Sequence, residues 1–281
     1  MILVTGATGT IGREVVRRLP ADLGVRIMAR EPARVVGAPA QAEIVYGDYG
    51  DPQSLVRAMS GVRALFLVTN RVGEDDAHVI QTARSAGVHH VVKLSAAAVA
   101  DPGAEDLITR WQRVNEDLLR GSGLGWTLLR PRSFMSNALS WTESVRTDHV
   151  VRALYGSSAN ACVDPRDVAE VAVRALTEDG HTGGIHTLTG PAAITAVEQT
   201  AEIAALLGRP IRFEELTCEQ TRAALRRRYP EPVVEALLQS AQRQRDGAKA
   251  GVENTVLELT GRPATSFGTW ARGHVAAFAS G

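Results

Sequence analysis

Val4-Thr5-Gly6-Ala7-Thr8-Gly9-Thr10-Ile11-Gly12 is the stretch that decides the fold of this 281-residue chain. It follows the apolar run that opens the sequence and leads into an amphipathic segment. Strand, glycine turn and helix, in that order, are the context in which such a turn holds a dinucleotide. Gly6 permits the tight turn, Gly9 lets backbone approach a pyrophosphate, and Gly12 lets the helix pack near the strand. The first helical turn, through Thr8, Thr10 and Ile11, then offers unpaired N–H groups and a partial positive charge to phosphate oxygens. A glycine turn used only for packing is the competing reading; position, spacing and flanks together speak against it.

Outward from the turn, short apolar runs alternate with amphipathic stretches. Met1–Thr5, Val25–Ala29, Glu43–Tyr46, Ala64–Thr69, Val91–Ser95 and Trp126–Arg130 read as strands of a sheet covered on both faces. Helices are expected over Ile11–Leu19, Pro52–Met59, Asp75–Ala86 and Ile108–Gly121. That alternation predicts parallel, right-handed crossovers, hence an α/β chain with a doubly wound parallel sheet of the Rossmann type. From about residue 134 the alternation stops. Asp164-Pro165 looks like a helix start, Gly184–Leu188 like a strand returning to the main sheet, and Ile211–Leu216 like a further strand. Thr195–Leu207 reads as a helix ended by Gly208, and an amphipathic segment closes the chain from about Ser266 to Phe278. The expected organisation is a nucleotide-binding domain of residues 1–133 plus about 163–189, and a smaller, mostly helical C-terminal lobe of about 134–162 plus 190–281.

Composition excludes several function classes. Lys plus Arg equals Asp plus Glu, at 31 each, so no general field draws the chain to nucleic acid. The run Arg226-Arg227-Arg228 reads as a solvated helix face. Cys162 and Cys218 are the two cysteines, without metal-ligand spacing, so neither a disulfide framework nor a bound metal is expected. No run of about 18 apolar residues exists to cross a membrane. A strand at the first residues leaves no room for a cleavable leader, and a cytoplasmic location is expected.

The end of the second strand discriminates between nicotinamide cofactors: a carboxylate there suits a ribose 2′-hydroxyl, and an Arg suits a 2′-phosphate. Arg30 falls at that point, with Glu31 beside it, and the expectation is NADPH in preference to NADH. Asp48, after the third strand, is placed either to accept from the adenine amino group or to cap its own loop.

These landmarks, with Gly47-Asp48, Ser122-Gly123 leading to Trp126-Thr127-Leu128-Leu129-Arg130, and Gly261-Arg262-Pro263, make a pattern over nearly the whole chain. It resembles the NmrA-like atypical short-chain dehydrogenase/reductases, most of all their NADPH-quinone oxidoreductase branch. The resemblance implies a substrate cleft between a Rossmann domain and a small C-terminal lobe. Ordinary members of that superfamily use Tyr-x-x-x-Lys on a helix, with the Lys lowering the Tyr pKa so that it can protonate a carbonyl oxygen. None of the four tyrosines here has Lys or Arg four residues later, and the corresponding positions carry Gln112 and Glu116. Ordinary carbonyl reduction is therefore not expected. Hydride addition to a quinone leaves a delocalised anion and depends less on a strong acid, so a quinone or related aromatic acceptor fits the missing pair.

The resemblance places Ser95 and the segment through Phe134 beside the nicotinamide, with Thr69 and Asn70 at the end of strand four. Ser95, Gln112 and His149 are the candidates for hydrogen-bonding or proton chemistry. Trp111, Phe134, Met135, Asn137, Trp141 and Tyr155 are candidates for the substrate site, each open to a plain packing reading. Lys93, two residues before Ser95, is expected to serve structure or ion pairing. The expected activity is NADPH-dependent reduction of a quinone or related small aromatic. Two alternatives stand: a non-catalytic redox sensor reporting to a regulatory protein partner, and an aromatic polyketide tailoring enzyme, reductase or oxygenase. A homodimer is compatible with either.

Overall fold

The computed structural model describes residues 1–279. In chain order it forms β1 (Ile2–Val4), α1 (Thr10–Arg18), β2 (Val25–Ala29), β3 (Glu43–Tyr46), α2 (Pro52–Met59), β4 (Ala64–Leu67), α3 (Asp75–Ser85), β5 (His90–Leu94), α4 (Leu107–Arg120) and β6 (Gly125–Pro131). There follow α5 (Thr142–Thr147), β7 (Val150–Ala153), α6 (Pro165–Thr177), β8 (Gly184–Leu188), α7 (Ala196–Leu207), β9 (Arg212–Glu215), α8 (Cys218–Arg226), α9 (Glu231–Arg245), α10 (Thr255–Thr260) and α11 (Phe267–Phe278).

Seven strands make one sheet in the order β3-β2-β1-β4-β5-β6-β8. The pairings from β3 to β6 are parallel, with Val4 beside Ile27 on one side and Phe66 on the other. Strand order reverses at β1, between β2 and β4, and ligands in such sheets bind at the carboxyl ends on either side of that reversal. The expected doubly wound α/β fold is present, and Gly184–Leu188 joins the main sheet as expected. Thr5 fixes the switch point: its Oγ1 donates to the Phe66 carbonyl at 3.0 Å and accepts from the Val68 amide at 2.9 Å.

The chain divides into two compact units. The first comprises Met1–Ala100, Thr109–Pro131 and Pro165–Thr187. Its core on one side of the sheet joins Leu3, Leu65, Leu67, Val91 and Leu128 of the strands to Leu55, Met59, Val79, Ile80 and Leu119 of the helices. Hydrophobic burial of this kind stabilises by about 25 cal/mol per Å² of apolar surface removed from water. The second unit comprises Asp101–Ile108, Arg132–Asp164 and the chain from Leu188 onward. Its core gathers Met135, Val145, Val151, Ile203, Phe267, Trp270 and Phe278. Local chemistry sets its helix ends. Thr195 and Glu198 form a reciprocal capping box at the start of α7, and Gly208 closes that helix in the left-handed conformation at φ 63°.

The sequence gives no signal for β7. β7 pairs in parallel with β9 in a separate two-stranded sheet, Val150 opposite Arg212 and Ala153 opposite Glu215. Four residues are too few for a pattern, and their partner lies 62 positions away at Arg152–Glu214. The strand is bracketed by His149 and Tyr155, both with positive φ, at 55° and 54°. No Gly or Pro marks the first bend, and Gly156 follows Tyr155 at the second. Glu215 holds the second bend by accepting from the Tyr155 and Gly156 amides.

Capping by Thr195 carries a measurable share of α7. Thr195→Ala should lower unfolding stability by about 1 kcal/mol in urea titration; no change would mean that the box is ornamental.

Candidate functional site

The glycine turn has the geometry a pyrophosphate needs. Gly6 adopts φ +65°, and the Gly9 amide donates to its carbonyl at 2.9 Å. A Cβ on Gly12 would lie 2.4 Å from that same Gly6 oxygen, so no side chain fits between helix and turn. α1 starts at Thr10 without a side-chain cap and without an acidic residue in its first turn. Its leading amides are therefore left for a ligand, with no acidic side chain in the first turn of the helix to oppose an anion there.

A cavity of about 310 Å³ opens beside the turn. Gly6, Thr8, Gly9, Arg30, Asp48 and Asn70 line it, all six being positions expected to bind cofactor. Arg30 forms no ion pair among the described residues, whereas its neighbour Arg34 is paired with Glu31 at 3.0 Å. Asp48 combines its two readings: Oδ1 accepts from the Gly50 amide at 2.8 Å, and the residue still lines the cavity. Three further lining residues escaped the sequence reading. Met28 runs under Gly47, where a Cβ would come within 2.4 Å of its side chain; this explains the glycine before Asp48. Tyr49 donates to the Val68 carbonyl at 2.7 Å, and burial pushes its phenol up to about 12. Arg34 brings a second guanidinium to the wall. Ile11 is buried in α1 and contributes packing. Thr69 is turned away: its hydroxyl donates to Asp76 Oδ2 at 2.5 Å.

Two buried polar networks lie near the carboxyl ends of β4, β5 and β6. In the first, Lys93 pairs with Asp76, both side chains at 0% exposure, and Asp76 Oδ2 also accepts from Thr69 and, at 3.0 Å, from Asn115 Nδ2. A charge inside an apolar strand must be paired, so the structural role expected for Lys93 has its partner in α3. In the second, Glu116 of α4 takes two donors from Arg130, Nε at 2.9 Å and Nη2 at 2.5 Å. Arg120 adds a third at 3.2 Å and Ser95 Oγ a fourth at 2.6 Å. Both carboxylate oxygens are fully engaged. Ser95 spends its hydroxyl proton on Glu116, leaving only lone pairs for another group.

One helical turn before Glu116, Gln112 is 7% exposed, and its Oε1 has no hydrogen-bond partner among the described residues. A buried acceptor left alone costs about 1–3 kcal/mol. Trp111 is half-buried and its indole N–H donates to the Gly73 carbonyl at 3.0 Å.

The remaining candidates belong to the second unit. Met135, 2% exposed, and Trp141 pack in that unit's core. Phe134 is half-buried and precedes a 3₁₀ turn, and Asn137 in that turn is exposed. Tyr155 bonds to Cys218 Sγ at 3.3 Å, with the Arg245 guanidinium 5.2 Å over its ring. His149 Nε2 lies 3.0 Å from Arg209 Nη1. A guanidinium only donates, so this nitrogen accepts and the ring proton sits on Nδ1.

A family model described as NAD(P)H-binding matches residues 6–179. A reductase of (4-alkanoyl-5-oxo-2,5-dihydrofuran-3-yl)methyl phosphate from Streptomyces griseus is 58% identical over 281 residues, covering 99% of each chain. An NAD(P)H azoreductase from Xenophilus azovorans is 36% identical over 284 residues, again 99% of each. Among solved structures, the NADPH complex of a quinone oxidoreductase from Escherichia coli superposes with a TM-score of 0.84 at 26% identity, over 98% of this chain and 100% of that one. The chain belongs to the NAD(P)H-binding family, as an oxidoreductase related to quinone oxidoreductases and azoreductases.

Two outcomes follow from this geometry. Arg30→Ala should weaken NADPH binding about tenfold or more while leaving NADH within about twofold, because a charge-assisted bond of about 1.5–3 kcal/mol is lost only with the 2′-phosphate. Equal losses for both cofactors in fluorescence titration would remove Arg30 from that role. Lys93→Met strands Asp76 without its cation and should cost about 3–5 kcal/mol in urea unfolding. Pairing it with Asp76→Leu should restore part of the loss.

Proposed function

We propose that the chain is an NADPH-dependent reductase of electron-poor conjugated acceptors, and that its substrate is an acylated butenolide carrying a phosphate ester. The observation that carries this reading is the engaged state of Glu116. A simple ketone reduced by hydride becomes an alkoxide, which needs a proton donor within reach. At the positions where the superfamily resemblance puts that donor and its cation, this chain has an amide, Gln112, and a carboxylate already bound by two arginines and a serine. Neither can act as a general acid.

An acceptor that stabilises its own charge does not need one. In a 4-alkanoyl-5-oxo-2,5-dihydrofuran the ring C=C is conjugated to both a ketone and a lactone carbonyl. NADPH, held by the α1 amides and Arg30, would supply a hydride. The ring carbon bearing the CH₂–O–phosphate arm would receive it, and the electron pair of the C=C would move onto the two carbonyls as a delocalised enolate. Water would then protonate the ring carbon between them. The same reasoning covers a quinone, whose reduction also leaves a delocalised oxyanion. What distinguishes the butenolide is the 58% identity to a reductase of that compound over the full chain.

The chain's own residues have separable tasks in this reading. The turn amides and Arg30 bind and orient the cofactor. The Glu116–Arg130–Ser95 network holds the ends of β5 and β6 rigid, presenting Ser95 lone pairs. Gln112 Oε1 accepts from an N–H donor, such as a carboxamide, that enters with the ligands.

Purified protein should oxidise NADPH with the butenolide phosphate, more slowly with quinones, and negligibly with an unactivated ketone. Deuteride from labelled NADPH should appear at the ring carbon bearing the phosphate arm. Ketone reduction at a comparable rate, or saturable NADPH uptake with no turnover of any acceptor, would overturn the proposal; the latter would favour a sensor. Gln112→Leu separates activity from stability. It should leave unfolding stability unchanged or slightly raised, since an orphan acceptor disappears, while kcat/KM falls about tenfold.

A further inference from the structure

In the second unit, Arg132 and Lys249 are cations that form no ion pair among the described residues. Arg132 Nη1 donates to the Ala248 carbonyl at 3.1 Å, but its buried Nε has no acceptor among the described residues. Gly251 lies beside the guanidinium: a Cβ there would meet Arg132 Nη2 at 3.8 Å, an ordinary contact distance. Lys249 is one of two lysines in the sequence, and its Nζ donates to Ser240 Oγ at 2.9 Å. Acidic groups are present but engaged or more remote. Asp106 is paired with Arg243 at 2.8 Å, Asp101 stands 3.8 Å from the same guanidinium, and Asp101 and Glu253 act on Arg132 only through space.

Burial, with the positive charges of Arg243 and Arg132 behind it, pulls the Lys249 ammonium down to about 8. The folded chain thus keeps a partly desolvated ammonium among like charges, an arrangement that weakens its hold on the proton relative to a free lysine. A bound anion reverses that penalty. An orphan guanidinium N–H beside such an ammonium also has the right composition for phosphate: planar directional donors together with a compact point charge.

We infer that Arg132 and Lys249 form the receptor for a phosphomonoester, the phosphate arm of the butenolide substrate. This rests on the substrate class proposed above, and it adds residues to which no role has been given. Arg132 directly follows the last residue of β6, so the segment that ends that strand also supplies the anion contact. The two cations together balance the dianion, and the phosphate oxygens satisfy the stranded Nε.

The test compares kcat/KM for the butenolide phosphate and for the corresponding alcohol, in the natural protein and in Arg132→Met and Lys249→Met. The natural protein should favour the phosphate by about tenfold or more, and each variant should lose most of that ratio. A merely structural role would lower both substrates together and leave the ratio intact; that result overturns the inference. If neither compound is turned over but a quinone is, the substrate reading fails by itself. The anion site is then decided by ³¹P titration with inorganic phosphate and phenyl phosphate. Saturable binding that is lost in Arg132→Met retains the site, and its absence in the natural protein disposes of it. Should the Met variants not fold, the same titration of Arg132→Lys against the natural protein decides, with weakened binding expected and equal binding fatal.

Discussion

The closeness of the first helix to the first turn is the constraint on which the nucleotide site depends. A Cβ at position 12 would come within 2.4 Å of the Gly6 oxygen, well inside van der Waals contact. Only a chain without a side chain there can bring the start of α1 so near the end of β1. That proximity aims unpaired amides at one point, and Thr5 ties β1 to β4 beneath it. Arg30 and Arg34 then stand on the β2 side of the same cavity. Cofactor recognition is in this sense a property of backbone packing, with side chains adding selectivity.

Where related folds keep an ionisable acid, this chain keeps a structural salt network. Two arginines and a serine on one carboxylate make a rigid, water-poor arrangement, and breaking such a cluster by removing one member is expensive. The Asp76–Lys93 pair next to it is of the same kind, with every Asp76 oxygen occupied. Both networks link helices α3 and α4 to strand ends. They fix the positions of the strand termini that a reductase must hold steady.

Much of this was legible in the residues themselves. The glycine turn, Arg30 and the six successive strands announce themselves because their signals are local: spacing, apolar runs and turn chemistry. Lys93 could be read as a paired cation, since an isolated charge in an apolar strand has no other stable state. Its partner could not be named, because Asp76 lies 17 residues away on a helix with several acids. Glu116 presented the same difficulty; nothing in its neighbourhood of sequence predicts that Arg130 and Ser95 converge on it. Met135 and Trp141 illustrate a different limit. Large apolar side chains serve a binding wall or a core equally well, and only the packing shows them in the core of the second unit. β7 escaped notice because its bends are made by His149 and Tyr155, residues without a turn signature.

Those two bends do more than end a strand. A residue at either bend must take the left-handed backbone, which a β-branched side chain such as that of Val150 resists strongly. The bends thus favour the observed alignment of the little sheet without any hairpin to impose it. Short edges make a poor template for a second polypeptide, and four residues apiece keep both strands of this sheet short.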